Sequence, residues 1–350
     1  MSWVYQPLNK LLYLNGKFLN QRTTGVQRVA HEYRPYLESI GASLVNPPRW
    51  LENSFLLMLW EQIVLPFITR KGLLVSLCNT GPLVKKNQII FIHDLAFEYN
   101  PKWFSQTFCI YYRWLIPKLA RRSRRILTCS NFTKNELQNK YKIGSDKIDV
   151  IHNGVSDRFR NVSNKVLDCH EVKSSLRPYV LAVGSLEPRK NLRLLLNVWA
   201  EKFGDSEFDL IICGSENKIF ASQDLNFQTK NIRFTGYLED RQLVEKYEDA
   251  TVFVYPSLYE GFGLPPVEAM ALGVPVLCSD AASLPEVVGD AAKLFRSGDP
   301  HDLAIKLNEL MYTEKVRSEL SDRGFKRVKM YSWSLSGEKL IKCVRAMAQE

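Results

Sequence analysis

Closely spaced cysteines are missing from this sequence. Its seven cysteines, Cys78, Cys109, Cys129, Cys169, Cys213, Cys278 and Cys343, include no Cys-x-x-Cys pair, and Cys213 and Cys278 close apolar runs. That pattern excludes a zinc framework and reads as buried thiols of a reducing compartment, not as a disulfide scaffold. His31, His93, His152, His170 and His301 show no metal-ligand spacing. No stretch approaches the roughly 20 apolar residues of a membrane span. The most apolar window, Phe55 to Phe67, is interrupted by Glu61 and Gln62. The opening Met1-Ser-Trp-Val-Tyr-Gln-Pro has neither a basic start nor a long apolar core, so the expectation is no signal peptide and a cytoplasmic location. Internal repeats and low-complexity segments are also lacking.

What is present suits two domains of ordinary size: 350 residues, 45% of them hydrophobic. Charge is divided unevenly. Residues 1–150 carry 21 Lys and Arg against 9 Asp and Glu, whereas residues 151–350 carry 26 against 28. The densest basic run is Tyr111-Tyr-Arg-Trp-Leu-Ile-Pro-Lys-Leu-Ala-Arg-Arg-Ser-Arg-Arg125. Cations interleaved with Trp and Tyr suit the surface of an anionic membrane. They also suit nucleic acid or a solvated helix face. No nucleic-acid-binding module surrounds the run, so nucleic acid is not an expected partner.

The second half alternates short apolar strands with helical spacing. Tyr179–Val183 runs into Gly184, Phe208–Cys213 into Gly214 and Ile232–Thr235 into Gly236, with Thr251–Tyr255 and Val274–Cys278 following. Helical spacing fills the gaps, as in Leu192–Ala200. This alternation predicts an α/β fold with parallel sheets, helices on both faces and functional turns at the strands' carboxyl ends. The first half is similar in kind. Leu11–Leu14 is an early strand, Ile89–Ile92 leads to His93 and Asp94, and Arg125–Thr128 leads to Ser130. The polar stretch Asn161 to Ser175 reads as the interdomain linker.

The richest segment runs from Tyr255 to Asp280: Tyr-Pro-Ser-Leu-Tyr-Glu-Gly-Phe-Gly-Leu-Pro-Pro-Val-Glu-Ala-Met-Ala-Leu-Gly-Val-Pro-Val-Leu-Cys-Ser-Asp. Glu260 and Glu268 are separated by seven residues that include a glycine turn, Gly261-Phe262-Gly263-Leu264. Proline suits a first helical turn, so Pro265 or Pro266 opens a helix carrying Glu268, with Gly273 as its C-cap. A strand, a glycine turn and a helix N-terminus make an anion cradle. A sugar nucleotide explains two acids beside such a cradle: its diphosphate takes N–H donors, and its hydroxyls take carboxylate acceptors.

This segment resembles the Glu-x7-Glu signature of family-4 retaining glycosyltransferases. The resemblance implies the GT-B architecture, two Rossmann-like parallel-sheet domains facing across a cleft. The expected domains are 1–165 on the acceptor side, 176–330 binding the nucleotide sugar, and a C-terminal helix, 331–350, crossing back from Trp333. The resemblance also implies that Glu260 lies near the transferred sugar and that Glu268 grips the ribose.

The second motif is Val183-Gly-Ser-Leu-Glu-Pro-Arg-Lys-Asn-Leu192. Arg189 and Lys190, beside Gly184 and before a helix, form a diphosphate clamp. The resemblance matches Lys190 to the family's phosphate-binding lysine. Ser185 stands where many members have Arg, and Arg189 is expected to compensate. In Thr23-Thr-Gly-Val-Gln-Arg-Val-Ala30, Gly25 reads either as a close backbone approach matching the family's N-terminal glycine loop or as a plain helix start. His93 matches a histidine near the donor sugar, with Asp94 orienting it or an acceptor hydroxyl. Asn153 and Gly154 match the hinge. Phe234-Thr-Gly-Tyr-Leu238, with Tyr237, matches a strand–turn that meets the nucleobase. Glu286 reads as structural.

No Asp-x-Asp occurs, so no cofactor and no essential metal are expected. Arg189, Lys190 and the helix end at Gly263 take the leaving-group charge instead. The resemblance implies hexose transfer from a nucleotide sugar to a saccharide acceptor; the sequence does not identify the donor, with GDP-mannose the first choice ahead of UDP-glucose, UDP-galactose and dTDP-rhamnose. The basic first half suggests a lipid-linked acceptor and peripheral contact with an anionic membrane, in O-antigen, capsule or exopolysaccharide synthesis. The rivals are a soluble-sugar synthase of the same fold and a catalytically silent sugar-binding scaffold.

Overall fold

A computed structural model describes residues 8, 10–159, 177–214 and 230–349. The expected linker, Asn161 to Ser175, lies outside them. The chain forms two compact units, residues 1–154 together with 333–350, and residues 155–332. Among the described residues, each unit holds one six-stranded parallel sheet.

In the first unit the strands are β1 (Leu12–Asn15), β2 (Ala42–Val45), β3 (Leu73–Ser76), β4 (Gln88–Phe91), β5 (Arg125–Thr128) and β6 (Ile148–Val150), in the order β2-β1-β3-β4-β5-β6. β3 and β4 are buried along their whole length, as parallel strands covered on both faces must be. Order reverses between β1 and β3, so the switch point, where open α/β sheets bind ligands, lies beyond Asn15 and Ser76. The helix Trp333–Gln349 packs in this unit: Tyr33 meets Trp333 edge-on at 5.2 Å, and Ser336 Oγ donates to the His152 carbonyl at 2.6 Å.

In the second unit the strands are β7 (Tyr179–Val183), β8 (Asp209–Cys213), β9 (Ile232–Gly236), β10 (Val252–Tyr255), β11 (Val276–Ser279) and β12 (Ala292–Phe295), in the order β12-β11-β10-β7-β8-β9. Here order reverses between β7 and β10. The loops after those two strands carry the two strongest sequence motifs. β11 starts two residues later than the strand expected from Val274. Pro275 has no N–H for the ladder, though its carbonyl accepts from Phe253 N at 2.9 Å.

The helix Leu264–Ala271 begins one residue before Pro265, with both prolines in its first turn, and Gly273 follows its end at φ +75°. Gly263 caps its start at φ +93°, and a Cβ there would stand 2.7 Å from Leu284 Cδ2. Gly263→Ala is therefore expected to cost about 1–3 kcal/mol. Gly298 shares a positive φ of +79° but has open space around a Cβ. A thermal melt of Gly298→Ala beside Gly263→Ala separates backbone strain from the Leu284 contact; equal melting losses would remove that contact as a cause.

Candidate active site

The site in the second unit is assembled from the loops after β7 and β10. Tyr179–Val183 is a continuous apolar strand, and the chain then turns through Ser185 and Glu187 into a 3-10 turn, Pro188–Lys190. Proline fixes the first residue of that turn, and Asn191 ends it at φ +51°. The next loop locks onto it: Leu258 N donates to the Arg189 carbonyl at 2.8 Å.

Glu260 sits at the centre, 7% exposed. Its Oε1 accepts from Lys190 Nζ at 2.7 Å, Tyr255 Oη at 2.9 Å and Ser257 Oγ at 2.6 Å. Its Oε2 accepts from an Arg189 terminal nitrogen at 3.1 Å. Lys190 Nζ also donates to Tyr255 Oη at 2.7 Å. Arg189 Nε reaches Glu187 Oε2 at 2.9 Å, and Ser185 Oγ donates to Glu187 Oε1 at 2.8 Å. The position where many family members carry Arg is thus occupied by a serine that orients the acid gripping Arg189.

Electrostatics follow from this packing. Burial alone would raise the Glu260 pKa. The Lys190 and Arg189 cations, with hydrogen bonds from Lys190 and Ser257, outweigh burial and hold it down at about 2. Lys190 lies below the usual lysine value, because burial outweighs the opposing pull of Glu260 and Arg189 adds like-charge repulsion. The Tyr255 hydroxyl is pushed well up by burial and by the Glu260 charge. Glu260 is therefore ionised at neutral pH and has no proton to give there. The clamp cations are held by acids of the protein, two cations against Glu260 and Glu187.

Glu268, also 7% exposed, projects from the helix Leu264–Ala271, and Tyr247 Oη lies 3.4 Å from its Oε2. Pro265 and Pro266 have no N–H. The donors at this helix end are consequently the backbone groups of Gly263 and Leu264, fewer than a proline-free turn would offer. Gly261 is buried and Leu264 half-buried. Phe262 is buried and packs edge-on against Tyr331 at 5.3 Å. A Cβ on Gly184 would touch the Lys190 side chain at 3.6 Å. Tyr237 is 68% exposed.

His93 and Gly25 belong to the first unit. His93 is buried, stacked on Phe91 at 4.4 Å, with Nε2 2.8 Å from the Leu77 carbonyl. A carbonyl only accepts, so Nε2 carries the proton. Burial lowers the His93 pKa, and the ring is neutral at pH 7. Asp94 does not orient this ring through a hydrogen bond in the structure; its Oδ1 accepts from Ala96 N at 3.1 Å, where a short carboxylate suits a helix start. Gly25 starts the helix Gly25–Ser39 behind a Thr24–Gln27 capping box, and a Cβ there would meet nothing within 4 Å. Gly25 thus starts a helix, and no protein backbone approaches it closely.

Sequence reasoning missed Glu187, Tyr247, Tyr255 and Ser257, although Tyr255-Pro-Ser257 lies inside the motif and hydroxyls at a strand's carboxyl end were a readable signal. It also missed a cluster at the first sheet's switch point. Glu61, 1% exposed, accepts from Lys17 Nζ at 2.7 Å, Asn15 Nδ2 at 2.9 Å and Thr80 Oγ1 at 3.0 Å. Among the described residues, no group of three His, Cys, Asp or Glu side chains is placed to hold a metal.

Comparisons with known proteins identify the family and the fold. The family description "Glycosyl transferases group 1" matches residues 170–327, and "Glycosyltransferase Family 4" matches residues 26–159. The chain is 30% identical over 276 residues to the O-antigen chain mannosyltransferase RfbU of Salmonella typhimurium, covering 73% of each. It is 29% identical over 249 residues to O-antigen chain mannosyltransferase B of Escherichia coli, covering 69% of this chain and 65%, just under two thirds, of that relative. The solved structure of Anabaena Alr3699/HepE in complex with UDP-glucose shares the fold, with a TM-score of 0.72 at 14% identity over 97% of this chain and 100% of that one. The chain belongs to the family-4 glycosyltransferases and has their GT-B fold.

Proposed function

We propose that the chain transfers a hexose, mannose in the first instance, from a nucleotide diphosphate sugar to a saccharide acceptor with retention of configuration. The observation that carries this reading is the buried Glu260 carboxylate bonded to Lys190 and Arg189 at the second sheet's switch point. The choice of mannose rests on the two mannosyltransferase relatives. A second donor, UDP-glucose, is favoured by the ligand of the HepE structure.

In this scheme the donor binds to the second unit. The bond from the sugar's anomeric carbon to the diphosphate breaks, and the acceptor oxygen bonds to that carbon on the same face. The acceptor proton passes to a leaving phosphate oxygen. Lys190 and Arg189 stabilise the charge that builds on the diphosphate. Glu260 faces the positive charge developing on the sugar and is no nucleophile, since its oxygens are engaged by four donors. His93 acts near the donor sugar, and Glu268 holds the ribose. Gly184, Gly261, Gly263, Leu264 and Tyr237 bound the donor, mostly through backbone. No metal is required, because two cations already stand at the clamp. The acceptor is lipid-linked, at an anionic membrane, in cell-surface polysaccharide synthesis; the support is the basic first half of the chain.

The test is a thermal-shift screen against GDP-, UDP- and dTDP-sugars with and without EDTA. Stabilisation by GDP-mannose that survives EDTA is expected. Stabilisation lost in EDTA would refute metal independence, and none from any sugar would favour a silent scaffold. Glu268→Ala should weaken nucleotide binding about tenfold or more, the loss of a hydrogen bond to a charged group. Calorimetric titration giving an unchanged Kd would remove Glu268 from the ribose site.

A further inference from the structure

The stretch from Ser54 to Ile68 is helical throughout: Ser54–Leu59, a π-helical turn Trp60–Val64, then Leu65–Ile68. In sequence it is the most apolar window, interrupted by Glu61 and Gln62. Both interruptions turn inward. Glu61 joins the buried Lys17 cluster, while Gln62 donates to the Gly81 carbonyl at 2.9 Å and accepts from Leu83 N at 3.0 Å. Left on the outer face are Phe55, Leu56, Ile63, Val64, Phe67 and Ile68, between 41% and 69% exposed. A surface helix ordinarily buries one apolar face and shows water a polar one. This helix buries Leu57, Trp60 and Leu65 and shows water a second apolar face.

Charge frames that face without entering it. Arg49 and the exposed Glu52 precede the helix and offset each other, whereas Arg70 and Lys71 follow it, with the Arg70 guanidinium 4.9 Å over the Phe67 ring. On the helix Gln106–Arg122, Tyr111 lies beside Glu61 and stacks with Trp114 at 6.5 Å. Trp114 and Ile110 are exposed, and the Lys118 ammonium stands 4.1 Å over the indole. A contiguous exposed apolar patch marks an interaction surface. An apolar strip with an aromatic and basic rim matches a bilayer interface, where rings sit at headgroup level and cations meet anionic lipid. Fifteen helical residues extend only about 22 Å, short of a hydrocarbon core of about 30 Å, and no helix among the described residues is long and apolar enough to cross a membrane.

The basic run 111–125 is the less suitable lipid face. Arg113 pairs with Glu98 at 3.4 Å, Arg121 bonds the Tyr141 carbonyl at 3.3 Å, Arg124 bonds Asn87 Oδ1 at 3.1 Å and Arg125 pairs with Asp149 at 3.4 Å. These guanidinium groups are engaged within the unit.

We propose that the outer face of the helix 54–68 lies flat in the headgroup region of an anionic membrane, its basic C-terminal end at Arg70 and Lys71 on the lipid phosphates. The proposal rests on the membrane-side acceptor reading above and names the surface responsible.

The test is sedimentation with vesicles of phosphatidylcholine alone and of phosphatidylcholine with phosphatidylglycerol. The chain is expected to pellet with the anionic vesicles. Ile63→Ser with Phe67→Ser should cut the bound fraction about tenfold or more, and Arg70→Ser with Lys71→Ser should narrow the preference for anionic lipid. Both variants should keep the circular dichroism spectrum and melting temperature of the unmodified chain, which shows that the first unit is folded, and its nucleotide-sugar thermal shift, which shows the same of the second. Unchanged vesicle binding by Ile63→Ser with Phe67→Ser overturns the proposal, as does failure of the unmodified chain to bind either vesicle. A dimer that this double variant converts to monomer also overturns it and assigns the face to a second copy. Donor binding is read separately, so an unmodified chain that keeps its nucleotide-sugar shift but binds neither vesicle sinks the lipid face alone.

Discussion

Lys190→Ala should lower kcat on the order of 10²–10³-fold, the scale set by removing one preorganised donor from developing charge, with KM for the donor changed less. Lys190 Nζ lies 2.7 Å from both Glu260 Oε1 and Tyr255 Oη. In the donor-free structure its charge is balanced by Glu260, so the ammonium contributes little to ground-state attraction of a diphosphate. Its effect grows as the sugar–phosphate bond breaks and negative charge builds on the leaving group. An interaction that strengthens only in the transition state appears in kcat.

The variant should remain folded. Removing one partner of a buried ion pair costs about 3–5 kcal/mol when the other is left bare. Glu260 is not left bare: Arg189, Tyr255 and Ser257 still donate to it. Steady-state transfer assays, with a melt of the same preparation, check both claims. Near-normal kcat in a folded Lys190→Ala variant would dismantle the clamp. A rise in KM at constant kcat would reduce Lys190 to ordinary ground-state binding.

The second unit's site was legible in sequence because its chemistry is local. Glu260, Gly263 and Glu268 lie within nine consecutive residues, and Arg189 and Lys190 are adjacent, so strand–turn–helix punctuation alone placed them. The partners of Glu260 were harder to read. Tyr255 looks like the last residue of a strand, and only its fully buried hydroxyl, aimed at a carboxylate five positions on, shows its role. The strands that sequence reasoning passed over are short. β2 is half exposed and lies at the edge of its sheet, β6 has three residues, β12 is another edge strand, and β3 is central and fully buried but only four residues long. An apolar run of three or four residues carries no period by which to tell strand from helix. In the sequence Glu61 is an interruption of the most apolar window, Phe55 to Phe67. Its inward turn depends on Lys17, 44 residues earlier, and on Thr80, 19 later, and nothing local announces that meeting.

Acid should remove a measurable share of the second unit's stability, and Glu260→Gln should abolish that share. The Glu260 carboxyl titrates at about 2 in the fold, against about 4.3 in an unfolded chain. A depressed folded pKa contributes stability that is fully present above the unfolded value. The contribution disappears as pH falls from about 4.3 toward the folded value, and it amounts to about 3 kcal/mol. At pH 7 the unmodified chain should melt well above Glu260→Gln, which leaves Lys190 buried against a neutral amide. Between pH 5 and pH 2 that advantage should shrink steadily. His93, whose lowered pKa also favours the fold at neutral pH, is common to both proteins and cancels in the difference. Calorimetric scans of the pair across that range supply the measurement. A melting difference independent of pH would mean that Glu260 is not held ionised by Lys190 and Arg189. The same low pKa sets a kinetic expectation: kcat/KM should show no acidic limb near pH 4–5 attributable to Glu260, because its carboxylate persists throughout that range and only stabilises charge.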